Sequence, residues 1–280
     1  MCSLNYVGLL AIVLSTVSAV SSETPSTGTR IDFSSLDASH PLKVYGTLYL
    51  PENSPGPCPA VVMVHGTAGI DARGPLYRKP LLDAKIAVFE VNFKDGIYTS
   101  PMDRPKIDTF LPLAFAALKE LRKLPGIDSS RIGIMGFSMG GAITLSTAIE
   151  ANRNLWMGDE KGFAAHAGFY PVVKAILPTI KDGNGPTGAP IIVFCGTDDA
   201  YGDGENVPVL KDLLHKKFNF ELIAYEYFGA AHGFNLNAPS ITYFDPAAKH
   251  FRGYMAYDAD ATNDSMPKLL DFFRKNLAGK

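Results

Sequence analysis

Three places in the sequence carry the residue types that nucleophilic catalysis needs: a serine, an acid and a histidine. Ser138 lies at the centre of Gly136-Phe137-Ser138-Met139-Gly140-Gly141, and it is followed along the chain by Asp199 and then by His232. A serine hydroxyl attacks a carbonyl carbon only when a base takes its proton, and a histidine held by a carboxylate can act as that base. These residues predict acyl transfer, with Ser138 as nucleophile and His232 as base.

The segment around Ser138 predicts a sharp turn from a strand into a helix. Residues 131–135 form a short run typical of a buried strand, and residues 142–149 are rich in alanine and apolar side chains, as in a buried helix. A serine on such a turn exposes its hydroxyl above the edge of the sheet, where flanking glycines avoid a clash. The structural alternative is a glycine-rich turn in which the serine only caps the helix.

Two neighbouring aspartates are candidates for the acid. Asp199 stands three residues after Gly196, far enough beyond the predicted strand to turn back towards a histidine loop. Asp198 is better placed to hold the turn through its own backbone hydrogen bonds. We therefore favour Asp199, with Asp198 as second choice and Asp203 as a distant third.

An oxyanion formed by attack on a carbonyl needs backbone N–H donors that are already in place. Met139, at the start of the predicted helix, supplies one of them. The second is expected from the loop His65-Gly66-Thr67-Ala68, with Thr67 as first choice and Ala68 as second. His65 itself is expected to hold this loop through side-chain hydrogen bonds.

Apolar strands alternate with helical patterns along the chain, which predicts a parallel sheet with helices on both faces. The strands are expected at 60–64, 86–91, 131–135, 163–169, 191–195 and 220–227, and the helices at 107–124, 142–149, 207–218 and 266–277. An alternating strand at 42–50 is expected in an antiparallel ribbon at the sheet edge, and residues 235–262 as loop and partial helix near the site. Because the carboxyl ends of parallel strands share one edge, Ser138, Asp199 and His232 are expected to meet there.

The composition permits one sizeable core and argues against a nucleic-acid partner. The 280 residues are 46% hydrophobic and 19% charged, with a formal net charge of −2 and no basic run. We therefore predict a single α/β domain over residues 37–280. The histidine spacing predicts no metal site, and no phosphate-binding glycine loop is present. Cys58 and Cys195 are expected as free, buried thiols at opposite edges of the sheet.

The N-terminus has the pattern of a secretory signal. Residues 1–22 carry no charged side chain, and their apolar stretch ends in small residues near Ala19. We expect cleavage near Ala19, a disordered connector over 23–36, and a secreted or periplasmic protein without stable membrane insertion. An uncleaved N-terminal membrane anchor is the alternative.

The serine, acid and histidine motifs together resemble those of the dienelactone hydrolase family of α/β hydrolases. The resemblance runs from about Leu42 to the C-terminus, and it implies hydrolysis of esters or lactones through an acyl-enzyme without a cofactor. By that match Ser138 is the nucleophile, Asp199 the acid and His232 the base. Dienelactone hydrolases proper use a cysteine as nucleophile and hold a substrate carboxylate with arginines; the candidates here are Arg73, Arg78 and Arg104. The serine favours a carboxylesterase for small or polymer-derived esters.

Two other functions fit the same motifs. A peptidase of this fold would cleave amides, although the chain has no room for a propeller beside a full hydrolase domain. A non-catalytic binding protein would lack one of the three polar residues, and all three are present. Three further residues have open roles: His166 in a core or pocket position, and Tyr170 and Tyr201 as packing or site-lining aromatics.

Overall fold

The computed structural model describes residues 27–54 and 56–278. Ten strands and seven α-helices follow one another in these ranges. They are β1 (Thr29–Ser34), β2 (Lys43–Tyr49), β3 (Cys58–Val64), α1 (Arg73–Asp83), β4 (Ala87–Asn92), α2 (Leu111–Arg122), β5 (Ile127–Phe137), α3 (Met139–Thr147), α4 (Glu150–Met157), β6 (His166–Phe169), α5 (Leu177–Lys181), β7 (Ile191–Gly196), α6 (Asp203–Phe218), β8 (Ile223–Tyr227), β9 (Ile241–Phe244), β10 (Arg252–Met255) and α7 (Ala259–Asn276).

Eight of the strands form one sheet in the order β1-β2-β4-β3-β5-β6-β7-β8. The strands from β4 to β8 in this order pair in parallel, whereas β2 is antiparallel to both β1 and β4. The predicted mostly parallel sheet with an antiparallel edge is confirmed. In this order β3, β5 and β7 lie in the parallel part of the sheet, so their carboxyl ends share one edge.

Alternating side chains of the central strands build a core on each face of the sheet. In β3, Ala60 and Val62 pack in a cluster that contains α2, whereas Val61 and Met63 pack in a cluster that contains α1 and α7. Residues of β7 alternate in the same way between α6 and α7. This is the pattern of strands covered on both faces, so their nearly continuous apolar sequences reflect two layers of helices.

The expected connector over residues 23–36 is corrected by strand β1, which occupies Thr29–Ser34 within it. Phe33 of β1 is buried, and the guanidinium of Arg30 lies 3.6 Å from the centre of the Tyr45 ring. The Ser, Thr and Gly residues around this strand obscured its short alternation. The folded domain therefore begins before residue 37, and the expected signal segment 1–22 lies outside the described residues.

Helices α1, α4 and α5 and the β9–β10 pair were not predicted, and α7 begins at Ala259 rather than at Met266. Helix α1 carries a Gly-Pro pair and an internal Pro80, which are typical of loops, but Tyr77 and Leu81 bury one face of it. Tertiary packing thus overrides a weak local preference. Helix α7 starts early because Asp258 caps it by accepting a hydrogen bond from the Ala261 N–H.

Both described cysteines are free and buried, as predicted. Cys58 begins β3 and Cys195 lies near the end of β7, at opposite edges of the sheet. Burial raises the pKa of both thiols and keeps them protonated. Across residues 27–54 and 56–278, none of the helices has the length and apolar character to span a membrane.

Candidate active site

Ser138 occupies a sharp turn between β5 and α3, where its backbone φ is 54° and its ψ is −116°. A positive φ is strained for a residue with a side chain and is tolerated where the surroundings impose it. The flanking glycines make the turn possible. A Cβ at Gly136 would lie 2.2 Å from the Gly140 carbonyl oxygen, and one at Gly140 would lie 2.3 Å from the Val64 carbonyl oxygen. The sharp turn from a strand into a helix that the sequence predicts around Ser138 is therefore present.

A chain of hydrogen bonds joins the three polar residues that the sequence singled out. The Ser138 Oγ lies 2.8 Å from His232 Nε2, and His232 Nδ1 lies 2.8 Å from Asp199 Oδ2. Asp199 and His232 are each only 2% exposed. Because a carboxylate can only accept, His232 Nδ1–H donates the hydrogen bond to Asp199, and Nε2 accepts the one from the serine hydroxyl. The imidazole is therefore held in the tautomer that can take up a proton from Ser138.

The three aspartates in this region have different partners. Asp199 accepts a second hydrogen bond from the Tyr201 N–H at 2.7 Å, which fixes the carboxylate facing His232. Asp198 is exposed and accepts a hydrogen bond from the Thr197 hydroxyl. Asp203 is fully buried at the start of α6, and its carboxylate accepts from two backbone N–H groups, those of Val172 and Val173. The structure thus places Asp199, and neither of the alternatives, against the histidine.

Burial and the nearby Asp199 charge raise the pKa of Asp203 to about 7. Burial is the larger cause, because removal of water penalises the charged form. Because Asp199 and Asp203 are both buried, ionisation of Asp203 places a second negative charge near the Asp199 carboxylate.

Two tyrosine rings enclose the imidazole of His232. The ring centres of Tyr170 and Tyr201 lie 4.7 and 4.4 Å from that of His232, on a residue that is already buried. Tyr170 adopts a positive φ of 36° to reach this position. Both tyrosines therefore restrict the orientation of the His232 ring. The sequence had not decided whether these tyrosines pack in the core or line the site.

A buried polar network extends from Tyr170 beneath the site. The Tyr170 hydroxyl accepts from Arg73 Nη1 at 2.9 Å and donates to Asn235 Oδ1, and Asn235 Nδ2 donates to the Tyr77 hydroxyl at 2.7 Å. Arg73 also forms an ion pair with Asp71. Sequence reasoning missed Asn235 and Tyr77 because they belong to no motif. It considered Arg73 only as a substrate-binding residue, whereas its guanidinium is buried and already paired.

The loop after β3 is held by His65, as predicted. His65 Nδ1 donates to the Gly66 carbonyl oxygen at 2.6 Å, and Nε2 accepts from the Phe93 N–H at 2.9 Å. Burial lowers the pKa of His65 to about 4, which keeps the ring neutral. The Thr67 carbonyl oxygen accepts from the Tyr98 hydroxyl. Side-chain hydrogen bonds therefore fix the backbone of this loop at both Gly66 and Thr67.

A cavity of about 330 Å³ opens at Ser138. Thr67 and Met139, the first-choice oxyanion donors, line it, whereas Ala68 points its carbonyl oxygen to Lys94. On the far wall, Arg104 and Tyr201 both donate to the carboxylate of Asp245, at 3.0 and 2.8 Å. Further lining residues are Pro105, Lys106, Ile107, Ala142, Val172, Lys174, Ala175 and Ala247.

Two other residues with open roles lie away from this cavity. His166 is fully buried in β6, and neither ring nitrogen has a hydrogen-bond partner among the described residues. Burial lowers the pKa of His166 to about 3, despite the nearby carbonyl groups of Pro190 and Thr147. It is a core histidine without the partners that such a residue usually has. Arg78 is paired with Glu90 and does not line the Ser138 cavity.

Comparison with known proteins gives the family. The sequence model described as the Dienelactone hydrolase family matches residues 94–277, which is more than half of the chain. The chain belongs to this family. A second model, described as Esterase FrsA-like, matches residues 11–163. No curated protein sequence matches it significantly.

Solved structures with the same fold include several esterases. A dienelactone hydrolase-like promiscuous phosphotriesterase from metagenomic libraries matches with 20% identity over 89% of this chain and 99% of its own, at a TM-score of 0.63. Esterase 2 of Thermogutta terrifontis, phosphorylated by paraoxon, matches with 17% identity over 91% and 96%, at 0.62. A Klebsiella pneumoniae dienelactone hydrolase homologue matches with 18% identity over 88% and 99%, at 0.58.

These neighbours confirm the predicted α/β-hydrolase fold. The family matches identify the protein as a hydrolase that acts on ester bonds, for which small-molecule esters are the expected substrates.

Proposed function

We propose that the protein is a serine carboxylesterase that hydrolyses ester or lactone bonds through an acyl-enzyme on Ser138. The observation that carries this proposal is the hydrogen-bond chain from Ser138 through His232 to Asp199, with the serine on a strained turn that opens into a cavity. In this proposal the three residues form a catalytic triad. The substrate is a small ester or an ester released from a polymer, and the expected signal segment favours action outside the cytoplasm.

In the first half of the reaction, His232 Nε2 takes the hydroxyl proton as Ser138 Oγ attacks the carbonyl carbon. The imidazolium that forms is stabilised by the buried Asp199 carboxylate, and the oxyanion is held by the N–H groups of Met139 and Thr67. Collapse of the intermediate expels the alcohol, which receives the proton from His232. Water then attacks the acyl-enzyme with His232 again as base, and the acid product leaves.

A direct test is the hydrolysis of p-nitrophenyl acetate and p-nitrophenyl butyrate. Ser138→Ala should lower kcat by at least about 10³-fold, because the nucleophile is lost while binding and the oxyanion donors remain. The matched control is Ser129→Ala, which removes the hydroxyl of an exposed serine outside the cavity and should leave kcat unchanged. Absence of turnover above the Ser138→Ala background, together with no labelling by a fluorophosphonate, would refute the proposal.

Paraoxon provides a second readout of the nucleophile. Because a serine esterase attacks phosphorus in the same way, stoichiometric paraoxon should inactivate the enzyme and leave a diethylphosphoryl group on the peptide that contains Ser138. Mass spectrometry of wild type and Ser138→Ala locates the group. Parallel assays with p-nitroanilide analogues separate an esterase from a peptidase, since only a peptidase would cleave these amides.

A further inference from the structure

The β9–β10 ribbon, residues 241–255, presents an aromatic face that no other described element covers. Its register pairs Arg252 with Phe244 and Tyr254 with Thr242, so these four side chains share one face. All four are exposed, Phe244 at 65% and Tyr254 at 40%. Phe251, which is 61% exposed, lies beside them with its ring 6.3 Å from that of Phe244. Exposed aromatic side chains gathered in this way mark interaction surfaces.

The opposite face of the ribbon is fixed to the active site. The Tyr243 ring lies across Gly253, where a Cβ would come within 2.4 Å, and its hydroxyl is 3.0 Å from that of Tyr201. Met255 bridges to the backbone of His232, and Asp245 lies in the wall of the Ser138 cavity. The ribbon is therefore firmly attached at the mouth of the cavity, and the face that carries Phe244 and Tyr254 points to solvent.

The charge of the ribbon points to an anionic partner. Its two positively charged residues, Lys249 and Arg252, are exposed, and Lys249 pairs with Glu205. His250 is exposed between them. Its single acid, Asp245, is turned inwards to Arg104. Arg252 has no ion-pair partner within the described ranges. A contact between two copies of this face would bring like charges together, which disfavours self-association.

We propose that this face docks on the surface of an anionic phospholipid membrane. Phe244 and Phe251 would enter the boundary between headgroups and acyl chains, and Arg252 and His250 would contact lipid phosphates. The inference rests on the proposed function, because docking would place the Ser138 cavity next to esters dissolved in or attached to the membrane. The two phenylalanine rings are inclined by 31° to each other and form no flat platform, which favours insertion over the stacking of sugar rings.

Co-sedimentation with vesicles tests the proposal. The wild type should sediment with vesicles of equal parts phosphatidylcholine and phosphatidylglycerol, and less with pure phosphatidylcholine or in high salt. The double variant Phe244→Ser/Phe251→Ser should lose this binding. Arg252→Gln should weaken it roughly fivefold, as expected for one basic residue near an anionic surface. The control Leu155→Ser changes a side chain of α4 that is 70% exposed, and should bind as the wild type does.

Hydrolysis of soluble p-nitrophenyl acetate shows whether each variant is folded, and it tests the proposed function separately. All ribbon variants should retain it, whereas hydrolysis of an ester embedded in anionic vesicles should fall with vesicle binding. The proposal is overturned if the wild type does not bind the vesicles, or if the double variant binds equally well. It is also overturned if light scattering shows a dimer that the double variant abolishes. The same holds if the wild type binds polygalacturonate, an anionic polysaccharide, and does not bind vesicles.

Discussion

Asp198 and Asp199 are adjacent in the chain and identical in type, but their surroundings differ completely. One carboxylate faces water, and the other is 2% exposed and shared between His232 and a backbone N–H. The distance from the strand end was enough to favour Asp199 from the sequence, because a residue needs that reach to turn back over the sheet edge. In contrast, nothing in the sequence indicated that Asp203 would lie buried behind it.

The two neighbours provide a matched pair of substitutions. Asp199→Asn should lower kcat for p-nitrophenyl esters by about 10⁴-fold, because the amide no longer favours the imidazole tautomer that accepts the serine proton. Asp198→Asn should leave kcat unchanged. Steady-state kinetics, with circular dichroism as a check on folding, measures both. Equal losses in the two variants, or a larger loss at Asp198, would remove Asp199 from the role of acid.

Sequence order located the polar residues of the site, and packing contacts decided what surrounds them. Ser138, Asp199 and His232 each follow a strand, so a parallel sheet necessarily brings them to one edge. The partners of Tyr170 come from α1 and from the loop after His232, and their contacts depend on how these elements approach one another. Such long-range contacts leave no pattern in the sequence of a single chain.

At the scale of elements, the continuous apolar strands were the most predictable parts because both faces of each strand are buried. Helix α1 and the β9–β10 ribbon were missed for the opposite reason. The former has few apolar residues and an internal proline, and the latter presents aromatic side chains to solvent. Their structures depend on the sheet and on the site, against which they fold.

The crossing of α3 over β3 depends on Gly140. A methyl group there would lie 2.3 Å from the Val64 carbonyl oxygen and 2.6 Å from that of His65, and backbone atoms cannot move aside cheaply. Gly140→Ala should therefore lower the free energy of unfolding by about 1–3 kcal/mol. It should also lower kcat, because Ser138 moves with the helix.

Gly126→Ala is the control for this substitution, since a Cβ there meets no atom within 4 Å. Urea unfolding and ester hydrolysis should be unaffected in this variant. If Gly140→Ala were as stable and active as Gly126→Ala, α3 and β3 would not be in the close contact described above.

For the molecule as a whole, buried titratable groups determine how stability depends on pH. The folded-state pKa values of His65 and His166, about 4 and about 3, lie below the usual 6.5, so acid protonates these rings first in the unfolded chain. Stability contributed by the neutral rings is present above pH 6.5 and is lost as the pH falls towards these values. Asp203 has the opposite effect on stability. Its raised pKa makes the folded state bind a proton between about pH 4 and 7, so its contribution to the free energy of unfolding grows as the pH falls through this range.

His166→Leu isolates one of these contributions. Between pH 6 and 5, the variant should lose about 1.2 kcal/mol less unfolding free energy than the wild type, because the unfolded histidine binds nearly one proton there and the folded one does not. At pH 7 it should be at least as stable, because it removes two buried ring nitrogens without partners. Urea unfolding at several pH values measures both effects. An unchanged slope in His166→Leu would contradict the prediction.

The residues proposed to react and the residues that shape the cavity come from different parts of the chain. Ser138, Asp199 and His232 stand at strand ends that two layers of helices hold in place, whereas much of the cavity wall belongs to residues 104–107 and 172–175. Lys106, Lys174 and Ala175 are the exposed side chains of these two segments, and they could be varied in a combinatorial library while the reactive geometry stays intact. Laboratory evolution of substrate range should therefore accumulate its first changes there, and should leave Tyr170 and Asn235 untouched.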